Sequence, residues 1–146
     1  MIDRSFIGAS LAESTLSIDA ARLKFFAEAI GEINPIYVDD DAARAAGHKD
    51  ILVPPTFLMA GTMDSGVMFD MLDRMNVSLG KVLHGEQQFE YLAPVFVGDI
   101  VSISSIIVDI FDKKNGALEF IITENTVTNQ HSIVVAKMRA TTVVRH

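Results

Sequence analysis

The residues best suited to acid–base chemistry are a histidine and a glutamate in the second half of the chain. His84 and Glu86 are two residues apart in a stretch with strand periodicity, and Gln88 and Glu90 continue the spacing. Because successive side chains of a strand point to opposite faces, these four are expected to share one face. An imidazole beside a carboxylate can accept and return a proton at neutral pH. The same pattern also fits a strand face that looks into solvent or a subunit interface.

Composition argues against several other kinds of site. The 146 residues include no cysteine, which excludes disulfides, thiolate nucleophiles and cysteine-bound zinc or iron–sulfur groups. The four histidines include no His-x-x-x-His pair, so no metal site is expected. A formal net charge of -7 disfavours nucleic acid and anionic membrane surfaces as partners.

Length and hydropathy fit one domain that covers residues 1–146. Apolar residues make up 49% of the chain, which is enough for a substantial core. The first residues lack the apolar segment of a signal peptide. The richest apolar stretch, Ile51–Gly61, is interrupted by Pro54-Pro55 and is shorter than the ~20 residues of a membrane span. We therefore expect a cytoplasmic protein without a membrane segment.

Helical periodicity predicts three helices ahead of the sheet, over Ile18–Ile30, Ala42–Ala46 and Thr56–Met75. The first has an apolar face formed by Leu23, Phe26, Ala27 and Ile30. The expected N-caps are Ser17 or Asp19 for the first helix and Asp39 for the second, and the expected ends are Gly31 and Gly47. The third stretch is expected to be the buried central helix, with a kink or break at Ser65-Gly66.

From Val82 onward the periodicity changes to two, which is typical of strands. Apolar and polar residues alternate over Leu118–Thr123 and Val134–Thr141, and Ile100–Phe111 is apolar on both faces. Asn115-Gly116 predicts a hairpin, because both residues tolerate a positive φ. The pattern predicts an α+β fold in which four long strands form an antiparallel meander around the central helix.

Two parts of the sequence resemble the MaoC-like dehydratase family. Residues Gly31–Tyr37, Ala42–Gly47 and Val53–Phe57, in that order, are similar to the hydratase segment of the family. The stretch His84–Tyr91, followed by Pro94 and Gly98-Asp99, is similar to the start of the sheet in its N-terminal subgroup. The resemblance implies a single hot-dog domain, in which a curved antiparallel sheet wraps around a hydrophobic helix. It also implies a homodimer, or a heterodimer with a second hot-dog domain, which agrees with the need to cover an open sheet edge.

The resemblance further implies that the ligand is an acyl thioester of coenzyme A or acyl carrier protein, bound as substrate with no other cofactor. Catalytic family members interconvert a 3-hydroxyacyl thioester and a trans-2-enoyl thioester plus water. They use an Asp two residues before the asparagine of the Asn-Pro step and a His two residues after its proline. Here Glu32 and Tyr37 occupy those positions. A phenol with an ordinary pKa of ~10 is a poor general base at neutral pH.

Three functions stay open. In one, the dehydratase site has been rebuilt from Glu32, Tyr37, His84 and Glu86. In another, the chain is a degenerate acyl-binding subunit that partners a hydratase chain bearing Asp and His. In the third, it is a hot-dog thioesterase, for which Asp64 is the candidate carboxylate.

Five further residues are candidates for substrate binding. Asn34 either bonds the thioester or forms a turn through its own side chain. Thr56 and Phe57 are the first residues after Pro55 that carry a backbone N–H group. The resemblance implies that a backbone N–H at the start of the central helix polarises the thioester carbonyl. Met59 and Met63 either line an acyl tunnel or pack in the core.

Overall fold

The computed structural model describes all 146 residues of the chain as four short helices and one five-stranded sheet. The strands are β1 (Ser14–Ser17), β2 (Val82–Tyr91), β3 (Ile100–Lys113), β4 (Leu118–Asn129) and β5 (Val134–Arg145). The helices are α1 (Ala20–Ala29), α2 (Asp40–Ala45), α3 (Met59–Asp64) and α4 (Val67–Arg74). Single 3-10 turns form at Arg4–Phe6, Pro35–Tyr37 and Leu79–Lys81.

The sheet confirms the α+β fold but not the predicted meander. All pairs are antiparallel, and the strand order is β1-β3-β4-β5-β2. The meander prediction is therefore wrong for β2, which pairs with β5 at the far edge rather than with β3. Alternation along a strand reports which side chains are buried, whereas the choice of neighbouring strand is set by long-range packing. The four-residue β1 is too short to give a periodic signal and was not predicted.

Helices α1 and α2 follow the sequence pattern closely. The Asp19 carboxylate accepts a hydrogen bond from the Arg22 N–H at 3.0 Å, and Asp39 accepts one from the Ala42 N–H at 2.7 Å. These contacts satisfy backbone donors that would otherwise be unpaired at a helix start. Leu23 and Ala27 are fully buried, so the predicted inner face of α1 is confirmed at its centre. The prediction is wrong at the end of the helix, where Ile30 is 51% exposed.

The stretch predicted as the central helix is broken where Ser65-Gly66 suggested. Gly66 adopts a φ of 73°, a left-handed conformation that ends α3 and starts α4. Helix α3 begins at Met59, so Thr56 and Phe57 precede the helix rather than open it. Gly61 brings α3 close to the sheet, because a Cβ at this position would lie 2.5 Å from Cδ1 of Ile103.

The apolar core consists of two clusters rather than one. The larger cluster joins α1 and the Phe57-Leu58 turn to β3, β4 and β5, and includes Leu23, Ile103 and Val127. The smaller cluster joins α4 to the other end of the same strands, through residues such as Met71 and Ile121. Among the helices, none has the length and hydropathy needed to cross a membrane.

Candidate functional site

The Asn-Pro segment forms a turn that its own side chains hold. The side-chain oxygen of Asn34 accepts a hydrogen bond from the Ile36 N–H at 3.2 Å and caps the Pro35–Tyr37 turn. Glu32 Oε1 in turn accepts one from the Asn34 N–H at 2.8 Å. Asn34 therefore has the turn-forming role that is common for asparagine before proline. The carboxylate of Glu32 is engaged by the backbone of the same turn.

Tyr37 lies half-buried in a groove of about 340 Å³ that it shares with Tyr91 and the Pro54-Pro55 step. Partial burial raises the pKa of the Tyr37 phenol, and the charges of Glu32 and Tyr91 raise it further. The ordinary pKa of a phenol is already near 10. Tyr37 therefore stays protonated at neutral pH, where it can donate a hydrogen bond but cannot act as a general base.

The two N–H groups proposed to polarise a thioester carbonyl are hydrogen-bonded within the chain. The Thr56 N–H donates to the Tyr91 hydroxyl at 2.9 Å, and the Phe57 N–H donates to the Pro54 carbonyl oxygen at 3.2 Å. Thr56 has a φ of 73°, which is unusual for a β-branched residue. A thioester could use the Thr56 N–H only by displacing the hydroxyl of Tyr91. No sequence pattern singles out Tyr91 for this role.

A β-bulge separates His84 from Glu86, so the prediction that they share a face is wrong. His84 is opposite Thr142 and Glu86 is opposite Thr141, which leaves Gly85 as an extra residue in β2. His84 consequently lines the space between sheet and helices, on the same side as Gln87. Glu86 instead accepts a hydrogen bond from the side chain of Gln88 at 2.8 Å on an exposed surface. The bulge therefore places the Glu86 carboxylate and the His84 imidazole on opposite faces of β2.

A cavity of about 300 Å³ lies between the inner face of the sheet and helices α3 and α4. Met59 and Met63, for which the sequence left core packing and a tunnel lining open, line it together with Met68 and Met71 of α4. His84 is at the same cavity. Flexible thioether side chains adapt to irregular apolar ligands, and the volume is at the lower end of the roughly 300–1,000 Å³ range of ligand pockets.

The floor of this cavity is polar, which sequence reasoning missed. Ser105 of β3, Thr123 and Asn125 of β4, and Thr142 of β5 are buried and line the cavity. A signal for them was present, because Thr123 and Asn125 lie at inward positions between the apolar Ile121 and Val127.

Asp64 is not placed to direct a water molecule at a thioester bound in the cavity. It forms an ion pair with Arg22 at the exposed end of α3 and does not line the cavity. No group of three His, Cys, Asp or Glu side chains lies close enough to hold a metal ion. The chain therefore offers a methionine-lined cavity with a polar floor, and a protonated phenol in a separate groove, but no carboxylate–imidazole pair at either place. The close pair of Glu119 and His146 lines neither of them.

Comparison with curated proteins gives relatives of similar length. A UPF0336 protein from Streptomyces avermitilis is 35% identical over 107 residues, which are 73% of this chain and 71% of the relative. A UPF0336 protein from Parafrankia sp. is 29% identical over 145 residues, 99% of this chain and 95% of the relative.

Solved structures share the fold. The HadBC (3R-hydroxyacyl-ACP dehydratase) complex from Mycobacterium tuberculosis matches with a TM-score of 0.81 and 21% identity, over 94% of this chain and 96% of that one. A MaoC-like dehydratase matches with a TM-score of 0.85 and 22% identity, over 97% of this chain and 42% of that one. The ChsH1-ChsH2 complex from M. tuberculosis matches with a TM-score of 0.69 and 21% identity, over 95% and 98%.

The family model for the FAS1-like dehydratase domain region matches residues 5–138, almost the whole chain. These matches confirm the hot-dog fold that the sequence predicted. The MaoC-like dehydratase shares this fold, and the chain belongs to the FAS1-like dehydratase domain family.

Proposed function

We propose that this chain is the acyl-binding subunit of a dehydratase that interconverts a 3-hydroxyacyl thioester and a trans-2-enoyl thioester plus water. The thiol carrier is coenzyme A or acyl carrier protein. One observation carries the proposal: the chain has a largely apolar cavity next to the central helices, but no carboxylate–imidazole pair at it. His84 reaches the cavity without Glu86, and the position of the family histidine holds Tyr37.

The chemistry needs more than the chain supplies. In the dehydration direction a base takes the C2 proton and an acid protonates the departing C3 hydroxyl, so water and a C2–C3 double bond form. Tyr37 stays protonated because its pKa is raised, and the Glu32 carboxylate has no imidazole at the matching position. The missing pair is expected on a second hot-dog chain that carries Asp-x-Asn-Pro-x-His.

The surface of the chain supports a partner. Strand β2 is an edge strand with one side unpaired over ten residues, and free edges favour pairing with another chain. Phe25, Ile33 and Tyr91 are large apolar side chains that are 73%, 93% and 51% exposed. HadBC and ChsH1-ChsH2, which share the fold, are named as complexes.

Reconstitution with a second chain tests the proposal. The chain is co-expressed with a hot-dog protein from the same genome that carries Asp-x-Asn-Pro-x-His, and the purified complex is assayed for hydration of trans-2-dodecenoyl-CoA. We expect activity that an Asp→Asn change in the partner lowers at least about 100-fold, while Glu32→Gln in this chain leaves it within about twofold. Activity that depends on Glu32 and survives the change in the partner would support the rebuilt site instead.

A further inference from the structure

A polar stripe crosses the inner face of the sheet at the floor of the cavity. All four of its residues are more than nine-tenths buried: Ser105, Asn125 and Thr142 are each 7% exposed, and Thr123 is 8% exposed. Strand pairing places Asn125 beside Ser105 and Thr142 beside His84, so the stripe runs diagonally from β3 to β2. The two apolar core clusters lie on either side of it.

Most hydrogen-bonding groups of this stripe have no partner in the chain. The Ser105 hydroxyl donates to Asn125 Oδ1 at 2.5 Å, which fixes that oxygen and leaves the amide NH2 for the cavity. The hydroxyls of Thr123 and Thr142 make no hydrogen bond with another group of the protein, and both residues line the cavity. The floor therefore presents two N–H donors and two hydroxyls to whatever occupies it.

A purely hydrocarbon ligand in the cavity would leave these polar groups without hydrogen-bonding partners, which disfavours its binding. A ligand that fills the cavity without pairing with these groups loses binding free energy, and apolar residues of the same shape would avoid this cost. Apolar residues here would also join the two core clusters into one. An alkyl chain in the cavity would leave the stripe unpaired, whereas an oxygen atom on the ligand would pair with it.

We propose that the cavity binds acyl chains that carry a hydroxyl, keto or ether oxygen along the chain, remote from the thioester. This rests on the proposed acyl-binding function. The oxygen accepts hydrogen bonds from the Asn125 amide and from a threonine hydroxyl, Thr123 or Thr142, and a hydroxyl on the ligand can also donate one to these threonines. The position is remote because Glu32, Tyr37 and Thr56 of the hydratase segment do not line this cavity. The oxygenated carbon therefore lies apart from the reacting C2 and C3.

Binding of matched acyl-CoA probes tests this inference. Dissociation constants are measured by calorimetry for dodecanoyl-CoA, for 3-hydroxydodecanoyl-CoA and for dodecanoyl-CoA with a hydroxyl at carbon 8, 10 or 12. We expect at least one of the distal alcohols to bind about tenfold more tightly than the plain chain, the value of one net hydrogen bond to a buried group.

Isosteric variants locate the effect. Asn125→Leu and Thr123→Val should each reduce the preference to within about twofold while keeping the affinity for dodecanoyl-CoA. Thr126→Val, on the opposite face of β4, should leave the preference unchanged. Melting temperatures check the fold. Thr123→Val removes no hydrogen bond within the chain and should not lower the melting temperature, whereas Asn125→Leu also removes the partner of the Ser105 hydroxyl and is expected to lower it somewhat.

The binding results distinguish failure of the oxygen preference from failure of the proposed acyl-binding function. Equal affinity for plain and distally hydroxylated chains, a preference confined to the 3-hydroxy probe, or a preference that survives Asn125→Leu and Thr123→Val would overturn this inference and leave the acyl-binding function intact. If none of the acyl-CoA probes binds, the proposed function itself fails, and the inference fails with it.

Discussion

At the scale of single residues, the phenol of Tyr37 limits the proton-transfer chemistry that this chain can perform. Tyr37 is half-buried beside Glu32, and burial together with that charge raises its pKa. It can orient a ligand through its hydroxyl, but it cannot take the proton that an imidazole would take. The role of Tyr37 is therefore expected to be positional rather than catalytic.

We expect Tyr37→Phe to leave kcat of the reconstituted dehydratase within about threefold, because the phenol performs no proton transfer. Steady-state hydration kinetics of the complex provide the measurement, with the His→Ala change in the partner's motif as the comparison. General acid–base groups typically contribute about 100- to 10,000-fold. A loss of that size in Tyr37→Phe would assign catalysis to this chain.

Glu119 is a buried carboxylate outside the candidate site. Its oxygens accept hydrogen bonds from the Ile2 N–H at 2.9 and 3.0 Å, and Nε2 of His146 lies 2.6 Å away. Burial alone would raise the pKa of Glu119, but these hydrogen bonds and the charge of the amino terminus hold it below its ordinary value of 4.5. The carboxylate thus fastens both ends of the described chain to β4.

This lowered pKa predicts a pH dependence of stability. The contribution of Glu119 is fully present above the unfolded pKa, near 4.5, and is lost as the pH falls through the lower folded value. Glu119→Gln should lower the free energy of unfolding by about 1–3 kcal/mol at pH 7 and flatten its decline in acid. Urea unfolding at several pH values measures both effects, with the exposed Glu13→Gln as control. An unchanged acid limb in Glu119→Gln would contradict the assignment.

At the scale of secondary-structure elements, the bulge in β2 determines where His84 points. A Cβ on Gly85 would lie 2.8 Å from Cγ2 of Val143 and 3.2 Å from the carbonyl oxygen of Thr141. We expect Gly85→Ala to destabilise the domain by about 1–3 kcal/mol through overpacking. Gly80→Ala, where the nearest atom is Oγ of Ser78 at 3.9 Å, is the control. Equal stability of the two variants in urea would mean that the bulge tolerates a side chain.

Helix α1 has an inner and an outer apolar residue that can be tested as a pair. Leu23 is fully buried, whereas Phe25 is 73% exposed. We expect Leu23→Ala to lower the free energy of unfolding by ~2–5 kcal/mol and Phe25→Ala to change it by less than ~0.5 kcal/mol. If Phe25→Ala destabilises the isolated chain as much as Leu23→Ala, Phe25 is part of the monomer core and not of a partner surface.

Sequence periodicity was sufficient for the long strands, for α1 and α2, and for their caps at Asp19 and Asp39. It failed where a single residue changes the geometry. The extra residue Gly85 reverses the facing of every later side chain in β2, and alternation alone assigns Glu86 to the wrong side. The pairing of β2 with β5 likewise depends on tertiary packing and has no local signature.

The site was predictable only in part. Spacing alone could not separate core packing from a cavity lining for Met59 and Met63, and the structure puts both at the cavity. The hydrogen bond from the Thr56 N–H to the Tyr91 hydroxyl joins residues 35 positions apart in the chain, so no local sequence pattern predicts it. The polar floor was readable from Thr123 and Asn125, but only once the inward positions of β4 were known.

At the scale of the whole molecule, the exposed surface is consistent with the proposed partner chain. Its sheet has a long free edge at β2, and apolar side chains are exposed near the hydratase segment and on α1. The cavity is built from this chain alone, whereas the acid–base pair is incomplete within it. Cavity and chemistry are therefore expected to come from different chains.

The most direct test uses the purified chain alone with crotonyl-CoA and trans-2-dodecenoyl-CoA. Hydration is followed by loss of the enoyl absorbance, and binding of the longer substrate is measured by calorimetry in the same preparation. The account predicts saturable binding of trans-2-dodecenoyl-CoA and no turnover of either substrate above the rate in buffer. Turnover in the usual enzyme range of roughly 1–1,000 per second would contradict it and show that Glu32, Tyr37 and their neighbours form a working active site.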